Sequence, residues 1–456
     1  MIHRLVRAAG AACLVLACGG CALYSASFAT VQNEIAAQRY DAALGTLERL
    51  GTSSTDEVLF LLNKAMLQRM DGQLAHSNDT FEQAKRRSDE LSAVSLTENT
   101  LSFIVNDSTK SYVGEEHEQV LLHVYQALNY LELGRLDEAR VEVLQLDEKL
   151  KSFSDRIEKN IYVEDPLARY VMGLVFEENR EWSDALIAYR KAYDAFRRIE
   201  NVFAVRVPEA LKHDLLRLTA HVGLKQEHEK YKKEFGISTT DTVDERAARG
   251  ELVFVLHNGW APVKRERALN LPDLKSGLWV RVSLPYYETR PPQVTAARVT
   301  LFADALPADT LPALAQVETE LFENVDAVAR KSLEAKMPVI SARAVARAAT
   351  KRAASLAAMR STRGSGNNSE ALAGLFLGLG LEVFALLSER ADTRSWLTLP
   401  HDIQLARVTL PPGKARVKVD LLKSSRETTP ARDTHVVIEP GRKRYLSYHY
   451  VDPQSY

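Results

Sequence analysis

Four segments of this 456-residue chain repeat one arrangement of side chains. A bulky anchor is followed three residues on by a small residue, then by apolar residues four and three positions further. The segments are Tyr40 with Ala43, Leu47 and Leu50; Leu74 with Ser77, Phe81 and Ala84; Leu136 with Ala139, Val143 and Leu146; and Trp182 with Ala185, Tyr189 and Ala192. That spacing puts each set on one face of a helix. Twelve positions before each small residue stand Val31, Ala65, Ala127 and Gly173, and three of these four are small enough to let a second helix lie close. One such hairpin cannot bury its apolar face alone, so the pattern calls for stacked helix pairs.

The first two anchors are 34 residues apart, the tetratricopeptide period. The following steps of 62 and 46 residues require additional helix or loop. Degenerate helical hairpins of other kinds produce the same pattern. Within the longer insertion Val120, Leu121, Val124, Leu128 and Leu131 share a helical face, with Glu115, Glu116 and Glu118 in the first turn, where the helix dipole favours them.

The chain exceeds the size of a single core, so more than one domain is expected. After a polar linker at 237–250 the apolar period becomes strand-like at 251–256, 278–284 and 297–302. Two hairpins are read at 405–410 with 415–422, around Pro411-Pro-Gly413, and at 435–438 with 444–449, around Pro440-Gly441. Between the strands, 311–335 and 339–360 carry helical patterns, and 371–387 is nearly all apolar. The expected fold is a multidomain α+β chain. A signal peptide and lipobox at 1–21 precede an α-solenoid of tetratricopeptide-like hairpins at 22–236. A β-sandwich-like domain at 251–310 and 391–456 follows, with a helical hairpin inserted at 311–390.

The N-terminus reads as an export signal: His3, Arg4 and Arg7, then an apolar stretch at 8–17 too short to span a bilayer. All three cysteines, Cys13, Cys18 and Cys21, lie here, so the rest of the chain has no disulfide, thiolate nucleophile or cysteine metal ligand. A cysteine behind such a stretch is the acceptor of a bacterial lipoprotein's diacylglyceryl group. Cys18 follows Val15-Leu16-Ala17; Cys21 follows Gly20 but has Cys18 where leucine usually sits, and the choice between them stays open. The next residue is Gly19 or Ala22, not the aspartate that retains lipoproteins in the inner membrane. The expected location is the periplasmic side of the outer membrane, held by acyl chains at about 0.8 kcal/mol per buried CH₂.

Net charge of −1 gives no bulk attraction for nucleic acid. His117 and His123 lie six apart, not the four that would put two zinc ligands on one helix face, so no metal is expected. Gly364-Ser365-Gly366 lacks nucleophile-elbow spacing, Gly378-Leu-Gly380 lacks the third glycine of a dinucleotide fingerprint, and no phosphate-binding loop is present. The only cofactor expected is the covalent lipid. Gly374 and Gly378 form a flat ridge in 371–387, which either packs as a buried hairpin or meets the membrane, a second copy or a partner. Asp392, Arg394 and Trp396 follow as an interface or a latch between the helical insertion and the sheet, Arg394 through a carboxylate and Trp396 as a buried anchor.

Gly20-Cys-Ala-Leu-Tyr-Ser25, the segment from Tyr112-Val-Gly114 through Glu118 to Ala127-Leu-Asn-Tyr-Leu131, and Ala391-Asp-Thr-Arg-Ser-Trp396 with Leu399-Pro400 resemble an uncharacterised family. Its members are proteobacterial tetratricopeptide-repeat outer-membrane lipoproteins, gene neighbours of lipoprotein activators of penicillin-binding proteins. The resemblance implies a role in the cell envelope and supplies no catalytic residues. The reading is a non-enzymatic, lipid-anchored scaffold whose repeats form a concave surface that binds a protein or peptide, while the β domain with its helical insertion binds envelope components or a second copy. Two alternatives are a membrane-associated assembly through 371–387 and a cell-wall enzyme using paired carboxylates in the β domain.

Overall fold

The computed structural model describes residues 20–97, 110–156, 164–272, 279–304, 312–361 and 390–452. Its N-terminal half is a series of helix pairs: α1 (Gly20–Ala36) with α2 (Tyr40–Leu50), α3 (Glu57–Met70) with α4 (Leu74–Thr97), α5 (Glu116–Glu132) with α6 (Leu136–Arg156), α7 (Pro166–Glu178) with α8 (Trp182–Phe203), and α9 (Glu209–His221) with α10 (Lys225–Phe235). One turn geometry joins every pair. The middle residue is left-handed (Gln38, Gly72, Gly134, Arg180 and Gly223). The next amide donates five residues back: Arg39 to Glu34, Gln73 to Gln68, Arg135 to Tyr130, Glu181 to Phe176 and Leu224 to Thr219. This bond satisfies a carbonyl otherwise orphaned at the helix end, and the three-residue turn makes the two helices antiparallel.

Tyr40, Leu74, Leu136 and Trp182 are the first residues of α2, α4, α6 and α8. Ala43, Ser77, Ala139 and Ala185 behind them are fully buried. So are Val31, Ala65 and Ala127 on the opposite helices. Gly173 marks the closest approach, since a Cβ there would stand 2.2 Å from the Tyr189 ring. The fifth pair escaped the sequence pattern because His228 holds the small-residue position. Its ring bonds the Leu216 carbonyl at 3.0 Å, as the Ser77 hydroxyl bonds the Ala65 carbonyl at 2.8 Å.

After a short helix α11 (Val243–Ala247), the C-terminal half contains β1 (Gly250–Asn258), β2 (Val263–Pro272), β3 (Trp279–Glu288), β4 (Val294–Ala303), β5 (Ala315–Glu318), β6 (Glu320–Glu323), α12 (Val325–Ser361), β7 (Asp402–Leu410), β8 (Gly413–Lys423), β9 (Thr428–Ile438) and β10 (Lys443–Tyr450). One sheet runs β10-β1-β7-β6, a second β5-β4-β8-β9, and β2-β3 form a separate ribbon. Leu252, Phe254 and Leu256 of β1 pack against Val299, Leu301, Val417 and Val419 of the second sheet. On the other face of β1, Val253 and Val255 join the helical core with Tyr125, Tyr170 and Leu405. The first sheet is therefore buried on both sides, and the order of layers is helices, sheet, sheet.

Three expectations are corrected. The two hairpins are not hairpins: β7 pairs with β1 and β6 whereas β8 pairs with β4 and β9, and β10 lies parallel to β1. Each proline–glycine turn instead carries the chain from one sheet to the other. Pro411 and Pro412 have no N–H to close a tight hairpin. Second, 311–335 is not a helix. Ala315–Glu318 and Glu320–Glu323 are strands, and Thr319 between them binds Ala297 of one sheet and Gln404 of the other. The Asn324 side chain accepts from the Ala327 amide and starts the helix only at Val325. Third, 325–360 is not two helices, because α12 continues through Pro338. Gly374, Gly378 and the rest of 371–387 lie outside the described residues, as does Cys18; Cys21 lies in α1, and its side chain is not described.

Gly173→Ala tests how the helix spacing is set. Tyr189 is fully buried and its hydroxyl is tied to Glu177 at 2.8 Å, so the ring cannot move aside. The expected loss is about 1–3 kcal/mol by denaturant titration; unchanged stability would show that another contact fixes the pair.

Candidate functional site

The first helices of the pairs present the face on which a partner was expected. That expectation is corrected, because this face is covered by the chain's own sheet. Tyr170 stacks at a tilt on Phe322 of β6, ring centroids 4.7 Å apart, and Phe196 meets Phe322 edge-on at 5.8 Å. Trp260, after β1, is buried among Phe28 and Val31 of α1, Leu47 of α2 and Leu67 of α3. Burying this much apolar surface is favourable in itself, so the helical layer and the sheet form one body.

Charges meet across the same boundary. Arg407 of β7 donates to both oxygens of Glu251 of β1 (2.9 and 2.8 Å), to the Tyr170 hydroxyl (2.6 Å) and to Asp214 of α9. Arg217 of α9 binds Asp214 at 2.7 Å and Glu177 of α7 at 2.9 Å. Lys443 of β10 reaches Glu177 at 2.9 Å and Glu178 at 3.2 Å, and Arg246 binds Glu251 at 3.1 Å. Arg217, Arg246, Arg407 and Lys443 thus balance Glu177, Glu178, Asp214 and Glu251. Burial by itself would raise Glu251, but Arg407, Arg246 and Lys443 outweigh it and hold the carboxyl down to about 2. Glu177 is likewise held well below the carboxylate range, burial being outweighed by Arg217, Lys443 and Arg407.

Further along the boundary His257 of β1 and His449 of β10 stack with ring centroids 4.1 Å apart. Tyr125 of α5 contacts His257, its hydroxyl 3.3 Å from Nδ1. The Nε2 atoms of both imidazoles are buried and have no hydrogen-bond partner among the described residues. Burial pushes both rings well below the ordinary imidazole range, with the neighbouring Arg69 adding to it. His117 is lowered to about 3 by burial, partly offset by Glu115. Glu323 is held well above the carboxylate range, by burial first and by Asp165 second.

Asp392, Arg394 and Trp396 lie in the segment that enters β7, and they grip the helices. Arg394 donates to Asp392 (2.9 and 2.7 Å), to Asp56 at the start of α3 (3.1 Å) and to the Thr55 carbonyl (3.2 Å). Trp396 is 1% exposed, edge-on to Phe81 and Tyr125, and its main-chain N–H donates to Glu118 at 2.7 Å. Glu118 also accepts from the Tyr112 hydroxyl and from the Glu115 amide. The sequence placed Glu118 in a helical first turn; its partner Trp396 lies 278 residues along the chain and could not be read there. Lys264 and Lys336 were missed for the same reason, and both bind Glu115.

Among the described residues no cluster of three or more metal-binding side chains occurs, and no helix is long and apolar enough to cross a membrane. A cleft of about 330 Å³ opens where the α5–α6 turn, the end of α7 and the β9–β10 corner meet, lined by Leu133, Glu178, Val437, Arg442, Arg444 and Tyr445 among others. The carboxylates of Glu132 and Glu178 in its walls are engaged by Arg69 and Lys443.

No family model and no curated protein matches the chain. Among solved structures it is similar to MamA of Desulfovibrio magneticus RS-1, at 12% identity and a TM-score of 0.30, over 46% of this chain and 90% of that one. It is also similar to a tetratricopeptide repeat protein from Parabacteroides merdae ATCC 43184, at 15% identity and a TM-score of 0.18, over 47% and 93% of the two chains. Scores this low assign neither a fold nor a partner.

Arg407→Met leaves Asp214 and Glu251 buried with their strongest counter-charge gone. It should cost about 3–5 kcal/mol in denaturant titration, and adding Glu251→Gln, which restores three cations against three carboxylates, should recover part of that loss. No recovery would mean that packing, not charge, carries the effect.

A pH series tests the imidazoles. With folded values below the unfolded one near 6.5, His117, His257 and His449 bind fewer protons folded than unfolded, so stability present above about pH 6.5 is lost on acidification. Glu118 and Glu323, raised by burial, act in the opposite direction. The readout is therefore a difference: His257→Gln with His449→Gln should flatten the fall between pH 6.5 and 5 relative to the parent. An unchanged slope would count against buried neutral rings.

Proposed function

We propose that this chain is a lipid-anchored, non-enzymatic scaffold on the periplasmic side of the outer membrane, binding protein partners through surfaces outside its sealed helical face. The observation that carries the reading is the joining of helices and sheet into one body by matched buried charges and a shared apolar core. Such a body presents fixed surfaces at a set distance from its tether. The N-terminal basic, apolar and cysteine sequence supports the tether, and the resemblance to envelope lipoproteins supports the compartment. Exposed Val339 and Val345 on α12 favour self-association as a second reading, the partner being another copy.

The test is metabolic labelling of the full chain with an alkyne fatty acid in a proteobacterial host, with membrane fractionation. The unaltered chain should carry label in the outer-membrane fraction, and either Cys18→Ala or Cys21→Ala should abolish it. An unlabelled chain with an intact N-terminus in the cytosol would end the proposal. In-cell crosslinking of the labelled chain should yield heterologous envelope proteins for the scaffold reading, and chain dimers for self-association.

A further inference from the structure

We infer that the outer edge of β10 binds an extended, acidic peptide segment of a partner protein. The inference rests on the scaffold reading and supplies its docking site. Among the described residues strand β10 is the last strand of its sheet, paired with β1 alone. The Glu251 amide donates to the Arg442 carbonyl and the Gly259 amide to the Tyr450 carbonyl, so even-numbered residues of β10 turn their main chain toward β1. The odd-numbered ones turn theirs outward, since the pattern alternates along a parallel strand.

Two of these outward positions are already occupied by side chains. The Lys443 amide donates to Glu178 at 3.2 Å, and the Ser447 carbonyl accepts from Arg432 at 3.0 Å. Between them the amide and carbonyl of Tyr445 face the cleft, with no partner among the described residues. An unpaired strand edge is a template for another extended chain. Here the two side-chain caps restrict pairing to a short stretch centred on Tyr445.

The cleft walls define the occupant's chemistry. Tyr445 lines the cleft through its backbone side, while its ring, 5% exposed, packs into the helical core. The Arg444 side chain is exposed and makes no ion pair or hydrogen bond among the described residues. Arg442 is half-exposed, and its ionic contact, to Glu178, is 3.8 Å long. Against these two cations stands the exposed Glu439, because Glu132 is engaged by Arg69 and Glu178 by Lys443. The remaining charge is positive, and it selects a carboxylate. Leu133 and Val437, 40% and 54% exposed, offer apolar contact on the two lips. The fitting ligand is a strand-forming segment with an acidic side chain beside Arg444 and apolar residues flanking it.

The test is selection of a random decapeptide display library on the full chain in detergent. Hydrogen exchange at Tyr445 follows with synthetic copies of the selected peptides. Expected are peptides enriched in Asp or Glu that slow exchange of the Tyr445 amide. Arg444→Glu should weaken them by about fivefold, and Val437→Ser should weaken them by removing the apolar lip. Both positions are exposed, so the fold is expected to persist in each variant, and unchanged far-ultraviolet circular dichroism checks it. Peptides that leave the Tyr445 amide unprotected, or bind both variants as well as the parent, would overturn the inference. If the two variants still crosslink to the same envelope proteins in cells, the edge is not the docking site and the scaffold reading survives. If the unaltered chain crosslinks to no envelope protein, that reading itself fails.

Discussion

The constraint on which the rest depends is that Arg407 and Lys443 of the sheet are buried, and Glu251 of β1 cannot neutralise both without the helix carboxylates Asp214, Glu177 and Glu178. Asp214 and Arg217 have side chains no more than 1% exposed, and Arg407 is 4% exposed. A charge taken from water without a partner costs several kcal/mol, and the pairing roughly offsets that loss rather than exceeding it. Net stabilisation therefore comes from apolar contacts such as Tyr170 on Phe322 and Trp396 between Phe81 and Tyr125. What the charges contribute is position. Sliding the sheet by one residue along α7 and α9 would strand cations and carboxylates together in the interior.

That division of labour explains what could be read from the sequence. The anchors at Tyr40, Leu74, Leu136 and Trp182 were legible because a helical hairpin is local: spacing and side-chain size are visible within some thirty residues. The fifth pair hid behind one substitution, His228 in the small position, although Gly223 occupies the same turn position as Gly72 and Gly134. Strand β1 could be located as an apolar run because both its faces are buried. Strand β2 could not, since its four consecutive charged residues, Lys264 to Arg267, on a two-stranded ribbon give little apolar pattern. Which sheet a strand joins was invisible, and both proline–glycine turns misled, because pairing across a sandwich is non-local.

The polar residues of the boundary were the least legible. Arg407 in Leu405-Ala-Arg-Val408 alternates as a solvent-facing strand residue would, yet it faces α9. Glu118 looked like first-turn dipole compensation and proves to be an acceptor for Tyr112, Trp396 and the Glu115 amide. Arg394 and Trp396 were visible as anchors because bulk and charge at a helix-to-strand junction are unusual. Their partners at Asp56 and Phe81 were not. Sequence pattern shows which residues want to be buried; the complementary charge on another element decides where.

Covering the helical face also redistributes what remains for recognition. In the first sheet β1 and β7 are central and the small-residue corner at Thr319 ties β6 to the second sheet, so the outward main chain lies along β10. An unmodified edge of eight residues would pair indiscriminately with other strands. Glu178 and Arg432 block it at Lys443 and Ser447, and both blocks are supplied by elements that the fold already needs, the end of α7 and strand β9. The edge is thus reduced to a defined gap by the contacts that hold the layers together. Specificity for a short segment and protection against promiscuous strand addition then have one structural cause.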